Sequence, residues 1–520
     1  MNLRSTILSV ISSLFVFFMT GADQSAFPLF ENTGRERILN DQGFDISYSI
    51  EPFYDINIFR FIVVMEFTGE KNGETRIILP NEFRGQKNID GIKFLKPLTE
   101  NTTIIDTEVP DQKIIKYMPG RQVRIYYQIE EIRDDDIELG NQYMVTLNRT
   151  YFHILSETFF ILPAWDWYKE WRIRIGWNHI PSNWNLANSF GINEKIQNIK
   201  TSLAKFSYSI FTGGDFRISK KNIDNYPVLL SIRGKWNFSD EQFLELVKTI
   251  LKEERDFWDD HNFPYFLITV LPIEGRGDQI GLQRTNSYSF FLSKNRIVDL
   301  RLKRLIAHEF FHTWLGDKIK FAEPEQLVYW FKEGFCDYYT RLLLLRSGLI
   351  TLPEYVEDYN RILYAYNTSP VRNEKNERVV NEFWSNFNIM KLPYMRGDII
   401  AHNLNTIIIN NTGGSKSLDD LMKNLFKRSL TESLLVSNGS LSALIRYYAD
   451  EQALSDIMKS LNSGVPLKSH PEALGPCFKM EIESYRKLWL IGELFEIPSY
   501  VPKSENSVYD PKCIEWFLYR

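Results

Sequence analysis

The sequence predicts a multidomain α+β chain: an N-terminal β-sandwich, an α/β lobe followed by a helical lobe, and a helical C-terminal region. Three observations carry this. β-branched and aromatic runs such as Phe59 to Phe67, Gln122 to Ile129 and Tyr143 to Leu147 are separated by turn signals at Asn72-Gly73 and Pro119-Gly120. The periodicity changes near Trp236, where Ser239-Asp240-Glu241-Gln242 reads as a capping box opening an amphipathic helix to about Trp258. From Arg341 onward the pattern is helical, with Gly348 as a stop and a further helix over 352–366.

The boundaries that follow are 1–22, 23–232, 233–410 and 411–520. The first is a signal peptide: Arg4 supplies the charge, Ile7 to Met19 the apolar stretch and Thr20-Gly21-Ala22 the small-residue exit. The apolar stretch is too short to span a bilayer comfortably, so export without stable membrane insertion is expected. A chain of 520 residues, 44% hydrophobic and 24% charged, with a net charge of −5, has ample material for large cores. It shows no basic stripe, which argues against nucleic acid as a partner. Asp134-Asp135-Asp136 reads as a solvated loop.

The chemistry lies in His308-Glu309-Phe310-Phe311-His312. Two imidazoles four residues apart share one helix face and can bind one metal ion, and the carboxylate between them can reach a metal-bound water. Leu302, Leu305 and Ile306 precede the motif at helical spacing, and Gly316-Asp317 offers a stop after it. A catalytic zinc takes three protein ligands and keeps a fourth position open. The apolar and aromatic run from Trp330 to Tyr339 contains Glu333, whose burial without a cation would be costly. Glu333 is therefore the expected third ligand. Asp337, one turn later, is expected to accept the free ring N–H of a ligand histidine. Cys336 reads as a buried free thiol used in packing. Cys477 and Cys513 are free to pair in an oxidising compartment, a pairing that sequence alone leaves open.

Taken together, HEFFHTW and WFKEGFCDYY resemble the gluzincin metallopeptidases, both the glycyl aminopeptidase family and the related aminopeptidase N group. Tyr394-Met395-Arg396-Gly397 resembles their Y-x-[KR]-G segment, and the stretch from Thr412 to Met422 is similar to the glycyl aminopeptidase pattern. The resemblance covers roughly residues 200 to 465, without the PDZ module common in glycyl aminopeptidases. It implies a thermolysin-like catalytic domain over 233–410 and one zinc per chain on His308, His312 and Glu333. It also implies Glu309 as general base, Tyr394 as oxyanion stabiliser at the start of a helix running through Ile409, and peptides as substrates. A strand ahead of the zinc helix, Phe266 to Leu271, would hold substrate in extended form.

One segment departs from the family pattern. Where these enzymes carry a glutamate for the substrate amine, this chain reads Ile280-Gly281-Leu282-Gln283-Arg284. Gly281 and Gln283 are the candidate substrate-binding residues, but an amide cannot pair an ammonium charge, and Arg284 would repel one. The expected activity is an exported zinc aminopeptidase. The alternatives are an endopeptidase or an enzyme for N-blocked peptides, and a non-catalytic peptide-binding protein that retains its zinc site.

Overall fold

Alternating side chains build the first part of the chain. In the computed structural model, β1 (Ile46–Tyr54), β2 (Phe59–Thr68), β3 (Ile92–Pro97), β4 (Gln122–Glu130), β5 (Glu170–Trp177) and β6 (Ile196–Ser202) form one sheet. Its order is β6-β5-β1-β2-β4-β3. Every second residue is buried: Ile46, Tyr48 and Ile50 on β1, Phe61, Val63, Met65 and Phe67 on β2, Val123, Ile125, Tyr127 and Ile129 on β4. A period of two with one apolar face is what a half-buried strand requires. The structure describes residues 43–54, 59–80, 82–83, 86–131, 137, 142–263, 265–274, 279–486, 494–504 and 510–518. The expected signal peptide and the Asp134–Asp136 triplet lie outside them.

The sandwich expectation needs correcting in one respect: three sheets, not two, share the apolar core. Ile77, Ile115 and Leu162 join it from a four-stranded sheet, and Phe152, Ile154, Leu186 and Phe211 from a five-stranded one. Aromatic rings fill the centre, with Phe152 stacked on Trp177 at 5.0 Å and Tyr48 edge-on to Phe160 at 4.8 Å.

A mixed sheet follows, built from β7 (Arg217–Ile223), β8 (Tyr226–Ile232), β9 (Phe266–Ile273), β10 (Gln279–Arg284) and β11 (Ser287–Ser293), in the order β7-β8-β9-β11-β10. It takes strands from both sides of the boundary expected at 232. The reason is physical: Val228 to Ile232 are buried throughout, as suits an inner strand with a parallel neighbour on one side and an antiparallel one on the other. Helix α1 (Asp240–Trp258) connects β8 to its parallel neighbour β9. Its capping box is present, Gln242 N–H donating to Ser239 Oγ at 3.1 Å and Ser239 N–H to Gln242 Oε1 at 2.9 Å. Because β9 lies between β8 and β11, it has no free edge for a substrate chain. The edge strands of this sheet are β7 and β10.

The described residues divide into two compact units, 43–248 with 262–297, and 249–261 with 298–518. The second unit is mainly helical. It contains α2 (Leu300–Phe311), α3 (Tyr329–Arg346), α4 (Leu352–Asn367), α5 (Phe387–Asn411) and α6 (Leu418–Glu432), with shorter helices after them. Asp299 caps α2 by accepting from Leu302 N–H at 2.9 Å, and a Thr351/Glu354 capping box opens α4. A further short helix spans Asn376–Glu382. One expectation changes here. Tyr394 does not open its helix: α5 begins seven residues earlier under an Asn386 cap, and Pro393 lies inside it. The chain then closes with a β-hairpin, β12 (Phe478–Arg486) and β13 (Leu494–Pro502), where helices and loops were expected. A Cys477–Cys513 disulfide, Cα atoms 5.6 Å apart, ties the start of this hairpin to the C-terminal helix Pro511–Glu515. No described helix is long and apolar enough to cross a membrane.

Candidate metal centre and active site

Helix α2 ends at Phe311, and His312 closes it. The turn that follows depends on Gly316, whose φ of +143° is hard for other residues to adopt. That turn brings the Leu315 carbonyl to 2.9 Å from His312 Nδ1. One turn earlier on α2, His308 Nδ1 lies 2.9 Å from Asp337 Oδ1 on α3. A carbonyl and a carboxylate only accept, so both Nδ1 atoms carry the proton in the neutral rings. Both Nε2 atoms therefore present lone pairs. They face each other at 3.0 Å, and Glu333 Oε2 stands 3.4 Å from each.

Three metal-ligating atoms thus converge in a fully buried place. Glu333 Oε2 makes no hydrogen bond there, and His308, His312 and Glu333 are each at most 2% exposed. Only a cation relieves such an arrangement. The spacing suits zinc, whose bonds of about 2.0–2.2 Å to nitrogen and oxygen give donor–donor edges of about 3.3–3.6 Å in a tetrahedron. The electrostatics agree. Burial disfavours a charged imidazole, yet the anionic groups around the rings outweigh it. Cys336 and Glu333 push His312 up to about 10, and Cys336, Asp337 and Glu333 push His308 well above its ordinary value. Burial would raise Glu333, but the two histidines hold it well below the usual carboxylate range. Protons take the place that a metal would fill.

Glu309, between the two histidines, is buried on α2. Tyr394, half-buried on α5, stacks on the His308 ring at 6.0 Å. Burial, then the nearby Glu333, Asp337 and Glu309 carboxylates, hold its phenol well above the ordinary value, so it keeps its proton and can donate. Two glycines set this geometry. A Cβ on Gly334 would meet Gly397 Cα at 2.3 Å, and one on Gly397 would meet the Trp330 carbonyl oxygen at 1.7 Å. α3 and α5 therefore touch backbone to backbone beside Glu333 and three residues from Tyr394.

Sequence reasoning missed the supports behind Asp337. Arg304, one turn before His308 on α2, stands 3.5 Å from Asp337 Oδ2 and 2.9 Å from Asp358 Oδ1. Arg341 Nε donates to Asp358 at 2.8 Å, and its two terminal nitrogens grip Asp398 at 2.6 and 3.2 Å. Asp398 reaches His402 Nδ1 at 3.0 Å, and His402 Nε2 meets the Tyr355 hydroxyl at 3.0 Å. The i, i+4 relations of Arg304 to His308 and of Asp398 to Tyr394 were the available signals. Glu254 was also missed. It is fully buried with neither carboxylate oxygen hydrogen-bonded, and burial, then the charge of Cys336, raises it well above its ordinary value.

Gly281 and Gln283 lie on β10, paired with Phe290 and Tyr288 of β11. Gly281 is buried and Gln283 half-buried. The repulsion expected from Arg284 is corrected. Its guanidinium pairs with Glu157 and lies over the Tyr208 ring at 4.6 Å, so its charge is already satisfied.

The M61 glycyl aminopeptidase family matches residues 301–391, the span holding the histidines, Glu333, Arg304, Asp337, Arg341 and Asp358 but not Tyr394, Asp398 or His402. No curated protein matches the chain in sequence. Among solved structures, an aminopeptidase N family protein from Idiomarina loihiensis is similar at a TM-score of 0.69 and 16% identity, over 84% of this chain and 79% of that one. An M1 zinc metallopeptidase from Deinococcus radiodurans, a mutant bound to a Tyr-Ser-Ala substrate, is similar at a TM-score of 0.50 and 14% identity, over 84% and 99%. These likenesses establish a shared fold, a β-rich N-terminal region followed by a helical one. The family match spans the two histidines and Glu333 and fits a zinc metallopeptidase of the aminopeptidase-like kind.

Proposed function

We propose that this chain is an exported aminopeptidase holding one zinc per chain on His308, His312 and Glu333. The observation that carries the reading is the convergence of two buried imidazole nitrogens and a buried carboxylate oxygen, flanked by a carboxylate and a phenol. Zinc in that place supplies Lewis acidity and a water acidified toward neutrality. Glu309 takes the proton of the attacking water and delivers it to the leaving amine. Tyr394 donates a hydrogen bond to the oxyanion of the tetrahedral intermediate. Asp337 fixes the His308 tautomer. In this reading residues 233–410 form a thermolysin-like catalytic domain between a β domain and a mainly helical C-terminal region. Gly281 and Gln283 are the candidate substrate-binding residues. Export through residues 1–22 agrees with the Cys477–Cys513 disulfide, which suits an oxidising compartment.

Gln283 favours a second reading, cleavage of N-blocked or internal peptide bonds, because an amide cannot neutralise a free N-terminal ammonium. Hydrolysis of paired free and N-acetylated peptides decides between them: preference for the acetylated member sinks the aminopeptidase assignment. Glu309→Gln should keep its zinc and lose about 10²–10⁴-fold in turnover. A wild-type protein that binds zinc but cleaves no member of a broad peptide library would instead be a peptide-binding protein.

A further inference from the structure

We propose that Cys336 is a fourth zinc donor, its sulfur holding the corner of the metal that water or substrate takes during turnover. The inference rests on the zinc-peptidase reading and adds a residue to it. Glu333 and Cys336 are i, i+3 on α3, so both side chains face the same turn of α2. The Cys336 sulfur and ring nitrogens of His308 and His312 all lie within 4.8 Å of one another. A zinc with bonds of about 2.3 Å to sulfur and 2.0–2.1 Å to nitrogen needs a sulfur–nitrogen edge of about 3.6 Å. The thiol is fully buried and outside any disulfide, and it reaches the His308 carbonyl at 3.3 Å as well as both imidazoles. Glu333 Oε2, 3.4 Å from both Nε2 atoms, is not part of that three-residue cluster, so carboxylate and sulfur approach the two rings from different sides.

The donor set then becomes two imidazoles, one carboxylate and one thiolate. The thiol releases its proton to solvent as the metal binds, and no electron transfer is involved. Sulfur strengthens the site for soft and borderline ions over magnesium or calcium. It also closes the tetrahedron, which in zinc proteins marks a resting or structural site rather than an open catalytic one. Turnover therefore requires substrate to displace the sulfur, and Cys336 acts as a built-in brake.

The test uses the full chain stripped of metal and reloaded with cobalt(II) or zinc(II). Wild type should show an intense near-ultraviolet sulfur-to-cobalt charge-transfer band, and zinc X-ray absorption should show one sulfur neighbour at about 2.3 Å. Both signals should vanish in Cys336→Ser and Cys336→Ala. Zinc affinity, measured against a competing chelator, should fall about tenfold or more in Cys336→Ala, while its kcat/KM on a short peptide rises. The wild-type spectrum decides even if a variant misfolds. Stoichiometric metal uptake without any sulfur signal overturns the Cys336 assignment alone. Failure of wild type to take up metal at all overturns it together with the zinc-peptidase reading.

Discussion

The core of the β-rich unit and the core behind the candidate metal centre stabilise buried residues in opposite ways. The first is a dry assembly of rings and aliphatic chains, Phe61, Phe152, Trp177 and Phe211 among them. The second buries a run of charges from His308 through Asp337, Arg304, Asp358, Arg341 and Asp398 to His402, nearly all under 10% exposed. An apolar core tolerates a lost contact in proportion to the volume removed. A charge network does not, because removing one member leaves its partners buried and unpaired. The helical unit is stiff where chemistry needs stiffness, and it is vulnerable for the same reason.

The largest predicted effect breaks this network. Arg341→Leu leaves Asp358 and Asp398 without their shared guanidinium, at a cost of about 3–5 kcal/mol at neutral pH. The pH dependence has a definite sign. Burial would raise both carboxyls, but arginine neighbours hold them below their ordinary values: Arg304 and Arg341 for Asp358, Arg341 and then His402 for Asp398. Groups depressed in the folded state stabilise it above the unfolded carboxylate value of about 3.9 and lose that contribution as pH falls further. In Arg341→Leu the two carboxyls are raised instead, so acid relieves the variant. Urea unfolding at pH 7 and pH 4 should show the gap between wild type and variant narrowing in acid. An equal gap at both values would mean that Arg341 contributes packing rather than charge.

The next effect tests the helix crossing that aligns Glu333 with Tyr394. Gly397→Ala drives a methyl to 1.7 Å from the Trp330 carbonyl oxygen, a backbone atom that cannot step aside. We expect a loss of about 3 kcal/mol and a measurable fall in zinc content. Gly348→Ala, at a φ of +71° with open space around it, should cost only about 1 kcal/mol and leave the metal in place. Thermal unfolding with metal analysis of both variants separates steric displacement of the site from simple backbone strain.

The two regions also differ in how far their sequences could be read. The alternation on β1, β2 and β4 is local, so those strands were legible, whereas the third sheet contributing to their core was not, because pairing partners are set at long range. At the metal centre His308, Glu309 and His312 follow from helical spacing, and Glu333 from the improbability of a bare carboxylate among aromatics. The network behind Asp337 joins α2, α3, α4 and α5, and of its members Arg304 and Asp398 stand one helical turn from a motif residue, His308 and Tyr394. The start of α5 was misplaced because a proline sits inside the helix instead of at its first turn. The terminal hairpin was missed because β12 and β13 carry charges and prolines that a central strand would exclude. A two-stranded hairpin, open on both edges, tolerates them.

The smallest effect sharpens the contrast from the apolar side. In the β-rich unit His153 Nε2 meets Ser289 Oγ at 2.7 Å, with both residues fully buried. This is a neutral pair, and the His153 ring also lies edge-on to Phe291 at 5.2 Å. Ser289→Ala removes one hydroxyl and leaves an imidazole nitrogen that has lost a partner, so the cost should be about 1–2 kcal/mol, well below that of Arg341→Leu. Zinc content and peptide hydrolysis should be unchanged. If Ser289→Ala proved as damaging as Arg341→Leu in urea unfolding, charge would not be what distinguishes the two cores. The fragility of the helical unit would then have to come from its crowding, a property that Gly334 and Gly397 already give it at one crossing.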